Sequence, residues 1–183
     1  MTDDSPRYSH PAIVLHWLSA MLILCGFSLG LTMTGLEFGP TKFRWYAIHK
    51  WIGITVFLVA LVRLAWRRVR PPPPPAPMPA WQQRAAAAAH ALLYVLMLTI
   101  PVSGWLYSSA TGVQVVYLGL VPLPDLVAKD RALAAALRLV HVGLNSALAA
   151  LVFVHVGAAL RHRFIDRDAV LARMLVSRRR RRP

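Results

Sequence analysis

The sequence predicts an all-α fold, a bundle of four helices that spans a membrane. The chain has 183 residues, of which 57% are apolar and 15% charged, and its mean hydropathy is +0.50. These values are typical neither of an ordinary soluble domain nor of a disordered chain. The apolar residues form four long runs, and the 21 Lys and Arg residues lie mainly between them. The basic excess therefore indicates membrane topology rather than a nucleic-acid partner.

The four predicted spans lie at about 12–33, 46–66, 85–107 and 139–160. At about 1.5 Å per residue, each is long enough to cross a hydrocarbon core about 30 Å thick. The first, third and fourth spans contain no charged residue. The second contains Lys50 and Arg63 near its ends, from which both side chains can reach the lipid headgroups.

The length predicts one four-helix domain, 1–175, followed by a basic tail, 176–183. If the spans alternate in direction, 15 of the 21 cations lie on the side of the two termini and 6 on the other side. The positive-inside rule then predicts that both termini are cytoplasmic and that the basic tail contacts anionic lipid. The longest outer connection, 108–138, is expected to contain a short amphipathic helix at about 126–137.

The histidines predict the functional site. Six of the seven lie in or near the spans, where an ionisable side chain is costly and indicates function. His141 and His155 are 14 residues apart on the last span, so they face within about 40° of one direction, about 21 Å apart along the axis. By depth, His16 is level with His155 near the cytoplasmic surface. His49 is level with His141 near the outer surface.

Two pairs of imidazoles at two depths predict two stacked b haems. The expected iron ligands are His16 and His155 for the cytoplasmic-side haem, and His49 and His141 for the outer-side haem. Two axial imidazoles leave no open iron site, which favours electron transfer over oxygen binding. Cys25 is the only cysteine and no C-x-x-C-H motif occurs, so both haems are expected to be held without covalent links.

Small and cationic residues near these histidines fit the same prediction but have simpler explanations. Gly53, Gly143 and Gly157 leave space for a porphyrin face, although glycine is also frequent at plain helix contacts. Arg63 and Arg138 either neutralise haem propionates or anchor helix ends.

Four motifs resemble those of a bacterial cytochrome b561, within the wider family of four-helix di-haem b cytochromes that includes membrane subunits of hydrogenases and formate dehydrogenases. They are "YSHPAIVLHW" with His16, "AIHKWIG" with His49, "HALLYVLMLTIPVSGW" with His90, and "LVHVGLNSALAALVFVHVGAALRHRF" with His141, His155 and His162. The resemblance extends from Tyr8 to the "VLARML" stretch. It implies the same pairing of ligands that depth predicts.

The resemblance also implies a function and a location, the bacterial inner membrane. Similar proteins oxidise superoxide to oxygen at the outer haem and reduce ubiquinone at the inner one, and no protein side chain is assigned a catalytic role. The alternative is an electron-transfer subunit that serves a separate dehydrogenase or a periplasmic c-type cytochrome. A haem-free structural or transport bundle would require the histidine spacing to be accidental.

Two further histidines have open roles. His90 could replace His16 as the partner of His155, or it could contact a quinone or a haem propionate. His162 lies seven residues after His155 on nearly the same face and could protonate a quinone oxygen. It could equally be a surface histidine beside two arginines.

The outer cations allow two interpretations. They are expected to form a basic rim around the outer haem, and we name this set the outer rim: Lys42, Arg44, Lys50 and Lys129. Such a rim would attract a small anion, or it is merely a solvated loop.

Overall fold

The protein is a bundle of four long helices in the computed structural model, which describes residues 7–175. The helices are α1 (His10–Met33), α2 (Pro40–Val69), α3 (Ala80–Thr111) and α4 (Arg131–Arg161). A hairpin of β1 (Val116–Tyr117) and β2 (Val121–Pro122) separates α3 from α4. After α4 come a π-helical turn, His162–Asp166, and a 3-10 turn, Ala172–Met174. All four helices are long and apolar enough to cross a membrane, as predicted. The predicted tail, 176–183, lies outside the described residues.

Each predicted span lies within one helix, but the helices are longer than the spans. Helix α3 begins at Ala80 and α4 at Arg131, because charged residues lower hydropathy without preventing helix formation. The Asp130 side chain caps α4 by accepting a hydrogen bond from the Leu133 amide at 2.9 Å. The separate amphipathic helix expected at 126–137 is therefore wrong, since residues 131–137 are the first turns of α4.

The β-hairpin packs against the N-terminal half of α2. Leu118 and Gly119 turn the chain in the left-handed region, with φ of 54° and 73°. The Trp51 indole N–H donates to the Val116 carbonyl at 2.7 Å, which fixes the hairpin to α2. The Thr55 hydroxyl adds a hydrogen bond of 3.0 Å to the hydroxyl of Tyr117.

Each helix packs mainly on its neighbours in sequence, α1 on α2, α2 on α3 and α3 on α4. Within residues 7–175, the pairs α1–α4 and α2–α4 make few contacts, although these pairs carry the histidines expected to face each other. Two apolar clusters form the core of the bundle. They are Val56, Ala60 and Met97 in one, and Leu96, Ile100 and Leu148 in the other. The fold thus leaves space between the helices that carry the predicted ligands.

The opposite end of the bundle is closed by the C-terminal segment and the proline-rich connection. The Trp17 indole N–H donates to the Met174 carbonyl at 2.9 Å. Arg173 Nη1 donates to the Pro74 carbonyl at 2.8 Å. These bonds bring the start of α1, the α2–α3 connection and the segment after α4 together at one end.

Candidate cofactor sites on paired histidines

The structure brings His49 of α2 and His141 of α4 together as the outer pair. Their ring centres are 6.3 Å apart and the ring planes are inclined by 83°. Both rings line an apolar cavity to which all four helices contribute. An apolar cavity with two convergent imidazoles is the arrangement that a haem site requires.

Helix α3 fixes the orientation of the His141 ring. Ser103 Oγ lies 2.9 Å from His141 Nδ1 and 2.7 Å from the Ile100 carbonyl oxygen. The single hydroxyl proton of Ser103 is donated to that carbonyl, which can only accept, so His141 Nδ1 must be the donor to Ser103. His141 Nε2 then carries the lone pair that a metal needs.

Two glycines allow close approach to the rings of the outer pair. A Cβ at Gly104 would lie 3.0 Å from His141 Cε1, which is shorter than an ordinary contact. A Cβ at Gly30 would lie 3.4 Å from His49 Cε1. Gly53 differs, because a Cβ there would meet no protein atom within 4 Å, while the residue itself lines the cavity.

The inner pair joins His16 of α1 to His155 of α4. Their ring centres are 6.2 Å apart, with the planes inclined by 56°. His90 of α3 also contacts His155, at 5.5 Å between ring centres. Arg63 lies behind His16, with Nη2 3.4 Å from His16 Nδ1.

The distances between ring centres can be compared with the distance expected for two imidazoles that share one metal. A metal–imidazole bond of about 2.0 Å, with roughly 1.15 Å from nitrogen to ring centre, puts two opposed rings about 6.3 Å apart across one metal. The outer and inner pairs, at 6.3 and 6.2 Å, fit this value. The ring centres of His90 and His155, at 5.5 Å, are closer together than this value. Among the described residues, no three His, Cys, Asp or Glu side chains converge to hold an ion by themselves.

His162 has acidic neighbours that a surface position alone does not explain. Its Nδ1 lies 2.6 Å from Asp168 Oδ2 and 3.5 Å from Asp166 Oδ2. Asp168 is itself fixed, because its Oδ1 accepts the Val170 amide at 2.9 Å. The bend after α4 thus builds a His–Asp pair at the inner end of the bundle, beyond His155.

The members of the outer rim have different surroundings. Lys42 Nζ donates to the Leu36 carbonyl at 2.8 Å, so it is bound to the α1–α2 connection. Lys50 directly follows His49 and interacts electrostatically with Asp125. Arg44 and Lys129 are exposed. Arg63 and Arg138 are the two candidates for a propionate contact. Arg138 is exposed, whereas Arg63 is half-buried.

Sequence reasoning missed Ser103, Gly104, Gly30 and Asp168 as residues of these sites. Ser103 and Gly104 share the stretch "PVSGW" with Pro101, a proline inside α3 that marks an irregular helix. That proline was the available signal, but the direction in which Ser103 points depends on the rotation of α3 against α4.

Comparison with known proteins places the chain among membrane cytochromes. Residues 7–176 match the family described as prokaryotic cytochrome b561. Cytochrome b561 homolog 2 of Escherichia coli (strain K12) is 36% identical over 179 residues, which cover 95% of this chain and 94% of that protein. A protein of Yersinia pestis named probable superoxide oxidase CybB is 27% identical over 176 residues, covering 94% of this chain and 98% of that protein.

Proposed function

Because the chain belongs to the prokaryotic cytochrome b561 family, we propose that it is a di-haem oxidoreductase that oxidises superoxide and reduces ubiquinone. The family consists of membrane electron-transfer proteins that bind haem b. The relative named as a probable superoxide oxidase supports the choice of donor. The proposed location is the bacterial inner membrane, with both termini in the cytoplasm and a single domain over 1–175.

The observation that carries the proposal is the near-equal spacing of the two imidazole pairs. The ring centres of His49 and His141 are 6.3 Å apart, and those of His16 and His155 are 6.2 Å apart. Two imidazoles that bind one iron would have about this spacing. We assign these four histidines as the iron ligands of the outer and cytoplasmic-side haems. A haem held by two imidazoles supplies one-electron transfer.

At the outer face, the rim supplies positive charge around the outer pair. Lys50 lies one residue from His49, and Lys42, Arg44 and Lys129 add their charges on the same side. Superoxide is a small anion, so a positive potential raises its local concentration and its encounter rate. An outer-sphere electron transfer needs no nucleophile or base, so no side chain at this face has to move a proton.

At the inner face, reduction of a quinone consumes protons, and we propose that His162 supplies them. Asp168 holds the His162 Nδ1 proton, which leaves Nε2 free to exchange a proton with a quinone oxygen or with water. His90 is exposed and lies beside His155 on the same level of the bundle. We assign His90 and His162 to quinone contact and proton handling.

The haem assignment is tested by spectra of the purified chain. The reduced-minus-oxidised spectrum should give about two haems b per chain. Replacing His141 with alanine should remove the outer haem, and replacing His155 the inner one. His90→Ala is the matched control for His16→Ala, because both rings contact His155. Loss of a haem from His90→Ala but not from His16→Ala would overturn the ligand assignment.

The substrate assignment is tested by superoxide consumption in the presence of ubiquinone over a range of salt concentrations. Consumption should exceed spontaneous dismutation, should disappear in His141→Ala, and should fall as salt screens the outer rim. If superoxide does not reduce the haems, but a partner dehydrogenase or a c-type cytochrome reduces them rapidly, the protein is an electron-transfer subunit instead.

A further inference from the structure

The β-hairpin runs alongside α2 toward the middle of the bundle instead of projecting from its end. Gly104 of α3 and His49 of α2 both lie beside His141, so these positions share one level. From Gly104 to the end of α3 at Thr111, seven residues rise about 10 Å. Thr55 lies six residues after His49, about 9 Å from that level in the opposite direction.

The Tyr117 side chain shows how deep the hairpin reaches. The chain leaves α3 at Gly112, and five residues later the Tyr117 hydroxyl lies 3.0 Å from the Thr55 hydroxyl oxygen. Thr55 donates its single hydroxyl proton to the Trp51 carbonyl at 2.8 Å, so Tyr117 is the donor in the bond between the two hydroxyls. From the level at which α3 ends to the tip of the Tyr117 side chain, the hairpin therefore descends about 20 Å.

The hairpin also has the composition of a membrane-embedded segment. Residues 112–124 contain no charged residue. The side chains exposed at its tip are large and apolar, since Leu118 is 53% exposed, Leu120 80% and Val121 52%. The next cation along the chain, Lys129, packs against Gly112, where α3 ends. In water such a tip would expose a large apolar surface, whereas acyl chains solvate it.

The helices complete backbone hydrogen bonds that water would otherwise supply to this segment. The Val116 carbonyl accepts the Trp51 indole N–H of α2 at 2.7 Å. The Pro124 carbonyl accepts the Trp105 indole N–H of α3 at 3.0 Å. Other carbonyls of the hairpin accept amide protons from the hairpin itself. Non-helical backbone is tolerated at membrane depth where protein groups satisfy it in this way.

We propose that the hairpin tip, residues 118–121, is immersed in the acyl chains of the lipid leaflet beside α2. The depth of Tyr117 and the absence of charge carry the inference. Helix α2 itself exposes Leu58 and Leu61 beyond Thr55, so the bundle already faces lipid on that side of the level of Thr55. The inference requires the membrane-spanning bundle but no haem, so it stands or falls separately from the proposed function.

The experiment measures how fast a charged, membrane-impermeant maleimide modifies single cysteines of the full-length protein in phosphatidylcholine nanodiscs. Leu120→Cys is made in a Cys25→Ser background, because Cys25 is the only native cysteine. Ala128→Cys in the same background is the matched control, since it is exposed in the same connection but lies next to a lysine. Unaltered protein provides a lipid-facing reference, because Cys25 is exposed midway along α1.

Modification of Leu120→Cys should be at least about tenfold slower than that of Ala128→Cys, because hydrocarbon excludes the reagent and disfavours the thiolate. After denaturation in sodium dodecyl sulfate the two rates should become equal. A nitroxide attached to the same cysteines then identifies what covers the tip. At residue 120 it should collide with oxygen, which concentrates in acyl chains, more often than with a water-soluble nickel chelate, as a nitroxide on Cys25 should.

Two results would overturn the inference. Modification of Leu120→Cys as fast as that of Ala128→Cys would place the tip in water. Rare collisions of the residue 120 nitroxide with both oxygen and the nickel chelate would identify a second copy or a partner protein as the occupant instead of lipid. If Leu120→Cys fails to fold, as judged by thermal unfolding, Val121→Cys gives the same comparison.

Discussion

Replacing Gly104 with alanine should loosen the outer haem while leaving the bundle folded. A Cβ at this position of α3 would lie 3.0 Å from His141 Cε1 and 3.3 Å from His141 Nδ1. Ser103 holds the same ring from the preceding residue, at 2.9 Å, so the imidazole cannot turn away without losing that hydrogen bond. The added methyl group therefore acts on the orientation of His141, the proposed iron ligand.

The expected magnitude follows from the contact distance. Ordinary contacts begin at 3.4 Å, so the ring must yield by about 0.4 Å, and overpacking of this kind costs about 1 to 3 kcal/mol. If this cost applies to the haem-bound state, it weakens the affinity for haem at His141 by about 5- to 150-fold. The gain in helix propensity from glycine to alanine, about 1 kcal/mol, offsets part of the cost to the fold itself. The haem-to-protein ratio should thus fall clearly, while the thermal unfolding temperature of the bundle changes little.

The assay is the haem-to-protein ratio of the detergent-purified chain, measured together with thermal unfolding. Gly143→Ala is the matched control, because Gly143 lies two residues after His141 but, unlike Gly53, does not line the cavity, and its Cβ would meet nothing within 4 Å. In a His155→Ala background, where only the outer haem is expected, Gly104→Ala should remove most of the remaining haem. In a His141→Ala background it should remove none. Equal haem content in Gly104→Ala and Gly143→Ala, in every background, would refute the reasoning.

Three further predictions test other parts of the structure. Gly53→Leu should lower outer-haem occupancy without destabilising the apolar core, because the new side chain enters the cavity and its Cβ meets no protein atom; haem content and thermal unfolding measured together check this. Asp168→Asn should slow quinone reduction but leave reduction of the haems by superoxide unchanged, because it weakens the hydrogen bond to His162 and contacts neither histidine pair; stopped-flow kinetics that follow both half-reactions separate the two, and equal slowing of both would contradict the assignment. Trp51→Phe should loosen the β-hairpin by removing the bond to the Val116 carbonyl, worth about 1 kcal/mol, while the bond between Thr55 and Tyr117 remains, and faster amide exchange confined to residues 113–123 would show it.

The histidine pairing could be predicted from sequence because it depends only on helix geometry. The 14-residue spacing of His141 and His155 places both on one side of α4, whatever the other helices do. Depth then leaves few partners, and the structure brings both His16 and His49 to the expected neighbours. Depth alone could not separate His16 from His90, because both lie at the level of His155; the ring distances favour His16.

The residues behind the ligands could not be predicted in the same way. Arg63 has the sequence environment of a helix-end anchor, and its position beside His16 depends on the rotation of α2 relative to α1. The contact of Ser103 with His141 depends likewise on the rotation of α3 relative to α4. The start of α4 differs from the prediction for another reason. Its first turns contain Arg131 and Arg138, which interrupt the apolar run. The helix nevertheless begins at Arg131, where the Asp130 side chain caps it.

The apolar core between the two pairs determines what can cross the bundle. Its buried residues, Val56, Ala60 and Met97 with Leu96, Ile100 and Leu148, carry no ionisable side chain. A proton or a small ion at this level would lose its hydration without gaining a partner, which is costly in a low dielectric. An electron needs no such partner, and in the proposed function it would move between the haems assigned to the two histidine pairs. Under the proposed function, this layer lets electrons pass inward while protons enter only at the inner end, where His162 and Asp168 lie.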